Sequence, residues 1–245
     1  MGGISYRDAH GPEGTLLYAI GDVHGRLDLL AEMHARIAAD IMRLQPADWR
    51  IIHLGDYIDR GPDSRGVLEL LIRKTASDGR NISLVGNHDV GFLDFLAEPK
   101  PDGLFAVYGG VQTAQSYGVK LDLSDMARFG KSSRALGAAV PRSHREFLQT
   151  LKFSASFGDF FFCHAGIRPG VALDAQDPQD LIWIRDDFHR HRGLYTKVVV
   201  HGHTPVPEPE LCANRVNVDT GAFASGKLSA LVIHGAEKRL LTVEM

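Results

Sequence analysis

Five short blocks of the sequence combine glycine or alanine with aspartate, asparagine or histidine. They are GDVHG at 21–25, GDYIDRG at 55–61, GNHD at 86–89, CHAG at 163–166 and HGHTP at 201–205. Each block follows a short run of branched or aromatic residues, which predicts that it lies on a loop at the carboxyl end of a strand. Active sites of open α/β sheets assemble at that edge. One such block is typical of an ordinary turn, but five in succession predict one shared site.

The side chains of these blocks are oxygen and nitrogen donors that suit transition metals. Asp22 and His24 are two positions apart, so one loop can turn both toward one ion. Asp56 ends the next predicted strand, and its two oxygens can bridge two cations. The remaining donors are Asn87, His164 and His203. Because the set contains no thiolate, it favours Mn²⁺, Fe or Zn²⁺ over Ca²⁺ or a structural zinc.

Two ions about 3.5–4 Å apart would create a hydroxide near neutral pH and neutralise both oxygens of an in-line displacement. Hydrolysis of a phosphate ester is the reaction that this arrangement favours. His88, next to Asn87, is placed to protonate the leaving oxygen, and Asp59 can pair with the imidazolium. Arg60 supplies a planar fork for phosphate.

The segments between the blocks predict the elements that position them. Apolar runs predict buried strands at 16–20, 50–54, 81–85, 160–163 and 198–200, followed by strands at 216–218, 228–233 and 239–243. Helical periodicity covers 27–44 and 64–74. The first half is therefore β-α-β-α-β with parallel strands. The strand-like segments from 160 onward lack long intervening helices, which predicts a second mixed sheet packed on the first.

These elements predict an α/β fold, an αββα sandwich of two mixed β-sheets. Between 91 and 151 the apolar stretches are short and broken by proline and glycine, so we expect a small helical insertion there. We expect residues 1–245 to form a single domain. The helical insertion would form one wall of the cleft.

The charge and composition of the chain limit the binding partners that we expect. The formal net charge is −3 and no long Lys/Arg run occurs, so we expect neither a nucleic acid nor a membrane surface as partner. No apolar run is long enough to span a bilayer, and the amino terminus does not resemble a secretion signal, so we expect a cytoplasmic protein. A phosphorylated protein or a small phosphoester is the expected substrate. The sequence does not indicate the oligomeric state.

In their order and composition, these motifs resemble the phosphoprotein phosphatase family of dinuclear metal-dependent serine/threonine phosphatases. The resemblance spans about residues 16–233 and is greatest to the compact bacterial and bacteriophage members, within the calcineurin-like metallophosphoesterase superfamily. It implies a first metal held by Asp22, His24 and Asp56. The second metal would be held by Asp56, Asn87, His164 and His203.

The resemblance also implies roles for the remaining side chains. His88 would be the general acid, with Asp59 as its partner, and Arg60 and Asn87 would bind the substrate phosphate. The segment LIWIR at 181–185 is similar to the family element that provides a second phosphate-binding arginine, Arg185. A surface arginine is the alternative interpretation of Arg185.

The implied function is a metal-dependent phosphomonoester hydrolase that acts on phosphoserine and phosphothreonine, with phosphotyrosine left open. A metal-bridging hydroxide would attack phosphate directly, without a phosphoenzyme. The cofactors would be two divalent ions, with Mn²⁺ expected in vitro and Fe or Zn²⁺ as alternatives.

Two other functions are consistent with parts of the sequence. Asp89 stands where eukaryotic members have glutamate, and GNHD resembles the symmetrical dinucleoside tetraphosphatases. Asp59 argues against that alternative, because those enzymes usually lack this acidic residue. Pro205 replaces the histidine of Gly-His-x-His metallophosphoesterases and favours the phosphoprotein phosphatase branch. A phosphate-binding scaffold without activity is the third hypothesis, but it would not need His88 paired with Asp59.

The other histidines and Cys163 have simpler interpretations. We expect His53 to be a hydrogen-bonded core residue or a neighbour of the metal ligands, and Cys163 to pack in a strand. His201 could orient substrate or water, or could be a strand-end histidine with its hydrogen bonds satisfied. The histidines expected at or near the surface are His10, His34, His144, His189, His191 and His234.

Overall fold

The computed structural model describes residues 2–245. The strands are β1 Thr15–Ile20, β2 Asp48–His53, β3 Asn81–Ser83, β4 Ser154–Phe157, β5 Phe160–Cys163, β6 Val198–His201, β7 Glu210–Leu211, β8 Arg215–Asn217, β9 Lys227–His234 and β10 Glu237–Glu244. The helices are α1 Leu27–Leu44, α2 Ser64–Ser77, α3 Asn87–Ala97, α4 Leu104–Val107, α5 Gly110–Ser116, α6 Met126–Ala139, α7 Arg142–Gln149, α8 Pro178–Trp183, α9 Asp186–His189 and α10 Ala222–Ser225.

The first sheet has the strand order β10-β9-β1-β2-β3. Strands β1, β2 and β3 are parallel and are connected by α1 and α2, in agreement with the predicted β-α-β-α-β pattern. The expectation that all later strands form the second sheet is wrong for β9 and β10. Strand β9 pairs antiparallel with β1, with Leu231 opposite Ala19. The physical reason is that β9 is apolar on both faces, so it fits between two covering layers rather than at an edge.

The second sheet has the strand order β4-β5-β6-β8-β7. Strands β5, β6 and β8 are parallel, whereas β4 and β7 are antiparallel edge strands. Neither edge strand was predicted. Strand β4 is a partly exposed Ser-Ala-Ser-Phe segment and β7 has two residues, so neither carries a strong apolar pattern.

Successive side chains of each strand point to opposite faces of its sheet, and the apolar ones form three separate hydrophobic clusters. Leu17 and Ala19 of β1 pack with Phe160 and Phe162 of β5 between the two sheets. The opposite face of β1, including Tyr18, packs against the helices of the first layer. Phe161 and Cys163, on the other face of β5, pack under α8 and α9. The αββα arrangement of two mixed sheets is therefore confirmed.

Residues 87–149 form the five helices α3 to α7. They extend the helical layer over the first sheet, where Phe105 contacts Phe92 and Phe95 with ring centroids 4.8 and 4.6 Å apart. Helix α5 and the preceding Gly109 reach back to the loop that follows β2. Among the helices of residues 2–245, none combines the length and apolar character needed to cross a membrane.

Candidate metal centre and active site

The predicted ligands follow five parallel strands at one edge of the sandwich. Asp22, Asp56 and Asn87 follow β1, β2 and β3 of the first sheet. His164 and His203 follow β5 and β6 of the second sheet. Because the carboxyl ends of parallel strands point the same way, the two sheets together bring these side chains into one cluster.

Three of the other side chains converge on His164. Its Nε2 lies 3.0 Å from Asn87 Oδ1, 3.2 Å from His203 Nδ1 and 3.4 Å from Asp56 Oδ2. All four residues are at most 5% exposed. This is the donor set predicted for the second metal, and its nitrogen and oxygen atoms face a common point.

Asp56 Oδ2 also faces the residues predicted for the first metal. It lies 3.5 Å from His24 Nε2, while Asp56 Oδ1 accepts a hydrogen bond from the backbone amide of His88. Asp22 Oδ1 lies 4.0 Å from His164 Nδ1, and the Asp22 carboxylate accepts from the His203 amide. One oxygen of Asp56 therefore stands between His24 and His164, as a shared ligand requires.

Backbone carbonyls orient the imidazole rings. His24 Nδ1 donates to Ile58 O at 2.7 Å and His164 Nδ1 donates to Leu54 O at 3.0 Å. These bonds occupy Nδ1 of each ring and turn each Nε2 toward the cluster, where a metal ligand needs it. Burial lowers the pKa of His24 to about 3, against the charge of Asp56, so this ring stays neutral.

The site concentrates negative charge. Asp22, Asp56, Asp89 and Asp219 are all buried within it. Burial, together with the charge of Asp56, raises the pKa of Asp89 to about 7 and that of Asp219 to about 6. Burial opposes protonation of His164, but the charges of Asp56 and Asp22 prevail and raise its pKa to about 10. Divalent cations compensate buried carboxylate charge, and clustered carboxylate oxygens and imidazole nitrogens are ligands that they accept, so the residues present fit the two-cation site of this chemistry.

The backbone is strained at the site. In residues 2–245, six non-glycine residues have φ between 43° and 70°. Gln45 ends α1, and the other five are His24, Asp56, Asp59, Arg60 and His203. Such conformations cost about 1–3 kcal/mol each and persist only where surrounding contacts enforce them. Their concentration at the predicted ligands and phosphate-binding residues indicates that the fold positions these side chains at a cost in stability.

Asp89 makes contacts that hold the strained backbone of Asp56 in place. Its Oδ2 accepts from the amides of Asp56 and Gly86, each at 2.9 Å, and its Oδ1 accepts from the Tyr57 amide at 3.1 Å. The side chain is fully buried. Asp89 therefore caps α3 and fixes the Asp56 backbone, which explains its presence without a contact to substrate.

The predicted acid pair is connected to the helical insertion. His88 Nδ1 lies 2.7 Å from Asp59 Oδ2, and the hydroxyl of Thr113 in α5 donates to Asp59 Oδ1 at 2.8 Å. Thr113 also accepts from the Asp59 amide at 2.9 Å. Burial lowers the pKa of His88, but the nearby Asp56 and Asp59 carboxylates outweigh it, so the net shift is upward.

The two predicted phosphate-binding arginines lie on different sides of the cluster. Arg60 Nη2 lies 2.9 Å from His88 Nε2, and its guanidinium stacks over Phe223 at 4.8 Å. Since a guanidinium can only donate, His88 Nε2 accepts here and carries its proton on Nδ1. Arg185 Nε donates to His203 Nε2 at 3.1 Å. Arg185 is therefore an exposed arginine whose guanidinium lies beside the cluster.

Sequence reasoning missed Asp219 and Thr113. Asp219 follows β8 as the other aspartates follow their strands, so the Val-Asn-Val-Asp-Thr-Gly segment at 216–221 carried a usable signal. Its Oδ1 accepts from the Gly221 amide at 2.9 Å. Thr113 lies within the insertion, and nothing in the surrounding sequence marks it.

Two histidines expected near the surface are buried, which corrects that prediction. His34 is 5% exposed and its Nε2 lies 3.1 Å from His53 Nε2. His144 is 3% exposed, and its Nδ1 lies 2.7 Å from the Tyr117 hydroxyl oxygen. In both cases a partner satisfies a ring nitrogen inside the helical layer. His201 is fully buried, with Nδ1 3.0 Å from Gly202 O, but its Nε2 has no hydrogen-bond partner among residues 2–245, so the ring is only half satisfied and neither interpretation of His201 is favoured.

The sequence pattern of the calcineurin-like phosphoesterases matches residues 16–224. The match covers most of the chain and all the strand-end motifs, so this protein belongs to the calcineurin-like phosphoesterase family and is a metallophosphoesterase hydrolase. Enzymes of this class use a pair of divalent metal ions.

Among curated relatives, asymmetrical bis(5'-nucleosyl)-tetraphosphatase PrpE of Anoxybacillus flavithermus is 24% identical, over 86% of this chain and 88% of the relative. Its counterpart from Bacillus thuringiensis is also 24% identical with the same coverage. A solved structure of a candidate diadenosine tetraphosphatase has a TM-score of 0.64 at 18% identity, covering 93% of both chains. A Saccharomyces cerevisiae serine/threonine phosphatase has a TM-score of 0.54 at 13% identity, covering 98% of this chain and 85% of the other. These structural likenesses establish the fold alone.

Proposed function

We propose that this metallophosphoesterase hydrolyses dinucleoside polyphosphates at a phosphoanhydride bond. The observation that carries this choice of substrate is the likeness, along 86% of the chain, to relatives named as asymmetrical tetraphosphatases. We therefore propose asymmetrical cleavage, which releases a nucleoside triphosphate and a nucleoside monophosphate. The symmetrical alternative rested on Asp89, whose carboxylate is occupied by three backbone amides.

Two divalent cations would be held by the six clustered side chains. The first would be bound by Asp22, His24 and Asp56, and the second would also use Asp56. The other ligands of the second cation would be Asn87, His164 and His203. When bound, such cations supply Lewis acidity and make a water molecule nucleophilic near neutral pH.

The protein's own groups would orient the substrate and move the proton. Arg60 and Asn87 would donate hydrogen bonds to phosphate oxygens, and Arg185 would bind phosphate at the His203 side of the cluster. A phosphate in the Arg60 fork would draw that guanidinium away from His88 Nε2. His88 Nε2, no longer accepting from Arg60, would take up a proton from solvent, as its raised pKa favours, and deliver that proton to the leaving oxygen while Asp59 holds the Nδ1 proton.

A second candidate is hydrolysis of phosphoserine, phosphothreonine or phosphotyrosine in proteins. The Asp59–His88 pair favours it, because an alkoxide leaving group needs a proton more than a polyphosphate does. The same cations and arginines would serve this reaction. The two candidates differ only in what flanks the reacting phosphate.

The discriminating experiment compares rates with Mn²⁺-loaded protein on diadenosine tetraphosphate and on phosphoserine, phosphothreonine and phosphotyrosine peptides. We expect diadenosine tetraphosphate to have the highest kcat/KM and to give ATP and AMP. Two ADP molecules per turnover would support symmetrical cleavage. Faster phosphate release from the peptides would replace this proposal with the second candidate.

A further inference from the structure

Trp183 is an exposed aromatic side chain beside the candidate metal centre. It lies at the end of α8, where Leu181, Ile182 and Ile184 are buried and Trp183 is 42% exposed. Its ring is nearly perpendicular to that of His203, with centroids 6.0 Å apart. Buried neighbours hold the segment in place, so the exposed indole face is available for a ligand.

Trp183 borders a cleft that also contains a phosphate-binding candidate. The cleft has a volume of about 480 Å³, within the range of small-molecule sites. Arg185, two residues further along the chain, lines it and donates to His203 Nε2 at 3.1 Å. One short segment thus presents a flat aromatic surface and a guanidinium directed toward the metal cluster.

Acidic side chains line another part of this cleft. Asp187 and Asp180 are held by Arg168 at 3.1 and 2.6 Å. Asp186 pairs with Arg190 at 2.9 Å. In dinucleotide-binding folds an Asp or Glu carboxylate accepts a hydrogen bond from a ribose hydroxyl, so these carboxylates offer acceptors for a ribose.

We propose that this cleft binds one nucleoside of the substrate. Its base stacks on Trp183, its ribose hydroxyls donate to Asp186 or Asp187, and its phosphates pass Arg185 toward the metal cluster. The proposal rests on the proposed function, because a phosphopeptide provides neither the base nor the ribose. Stacking tolerates any base, so the cleft selects nucleotides as a class.

Fluorescence tests the stacking without turnover. The chain contains two tryptophans, so Trp49→Phe leaves Trp183 as the only one and Trp183→Phe leaves Trp49. Trp49 packs against the Arg80 guanidinium at 4.1 Å and lines a different cleft. We expect AMP to quench the emission of the Trp49→Phe protein saturably, and inorganic tripolyphosphate to leave it unchanged. AMP should not quench the Trp183→Phe protein. Equal behaviour of the two variants, or quenching by tripolyphosphate alone, would overturn the proposal.

Kinetics provide the second readout. We expect Trp183→Ala to raise KM for diadenosine tetraphosphate about 10-fold, with Trp183→Phe recovering most of the loss and Trp49→Phe serving as the matched control. If the wild-type protein cleaves diadenosine tetraphosphate but Trp183→Ala has the wild-type KM, the cleft proposal is wrong and the proposed function stands. If the wild-type protein does not cleave it, the proposed function is wrong. In that case AMP quenching of Trp183 still decides whether the cleft binds nucleosides.

Discussion

Asp89, in the first turn of α3, accepts a hydrogen bond from the backbone amide of Asp56, in the loop after β2, at 2.9 Å. Asp56 has a φ of 53°, a conformation that non-glycine residues rarely adopt. The carboxylate of Asp89 therefore stabilises the backbone that presents the shared metal ligand. Its position in the motif is explained by this contact rather than by substrate choice.

Asp89→Asn should weaken both the fold and the metal site. In saturating Mn²⁺ the nearby cations keep the Asp89 carboxyl ionised. An amide keeps one acceptor but turns N–H donors toward a backbone N–H, so we expect a loss of about 2 kcal/mol in the free energy of unfolding of the metal-loaded protein. Urea denaturation with and without Mn²⁺ measures it. Asp94→Asn, at an exposed position of the same helix, is the control and should be neutral. Equal stability of the two variants would show that the Asp89 contacts are unimportant.

Thr113→Val should impair the Asp59–His88 pair, although Thr113 lies outside the five sequence motifs. The variant removes the hydroxyl that donates to Asp59 Oδ1 at 2.8 Å, and leaves that buried oxygen without this partner. We expect kcat on an alkyl phosphate to fall about 10-fold, with a smaller effect on an aryl phosphate whose leaving group needs less protonation. Thr113→Ser keeps the hydroxyl and should restore the rate. An equal loss on both substrates would instead indicate general damage to the site.

Asp56→Asn should reduce the binding of both metal ions, because Asp56 Oδ2 faces His24 at 3.5 Å and His164 at 3.4 Å. We expect Asp22→Asn to affect one ion much more than the other. Metal content after dialysis against limiting Mn²⁺, measured by mass spectrometry, provides the stoichiometry. Loss of a single ion in the Asp56 variant would contradict a shared ligand.

Asp219→Asn should stabilise the metal-free protein but destabilise the Mn²⁺-loaded protein at pH 7. The folded-state pKa of Asp219 is about 6, above its usual 3.8, so without metal its stabilising effect is greatest below about pH 4 and declines as pH rises to 6. Asparagine does not titrate, so the variant should gain about 3 kcal/mol relative to wild type between pH 4 and 7. Saturating Mn²⁺ should reverse the order at pH 7, because the variant lacks one anion near the cations. Thermal unfolding of the variant and the wild-type protein, without and with Mn²⁺, measures both stability differences. If the stabilities of the two metal-free proteins depended on pH in parallel, Asp219 would not have the raised pKa on which this prediction depends.

The sequence predicted the parts of this protein that depend on local pattern. Apolar runs followed by Asp, Asn or His placed Asp22, Asp56 and His164 at strand ends, and parallel strands then required them to meet. Helix α1 was predicted with its observed bounds, because its apolar residues recur with helical spacing. These features depend on periodicity and on the direction of strands.

Features that depend on tertiary contacts could not be predicted in this way. Strand β9 joins the first sheet because its two apolar faces need covering from both sides, which depends on the final layers and not on its neighbours in the chain. Thr113 reaches Asp59 across 54 positions. His34 is buried because His53 offers it a partner. To predict any of these three features, one would need to know which residue from a distant part of the chain contacts it in the folded protein.

Anomalous diffraction from crystals soaked in Mn²⁺ tests whether Asp56 is shared by two metal ions. We expect two anomalous peaks about 3.5–4 Å apart, with Asp56 coordinating both, His24 on one side and His164 on the other. A single peak, or two peaks of which only one contacts Asp56, would contradict a dinuclear centre built on this shared carboxylate.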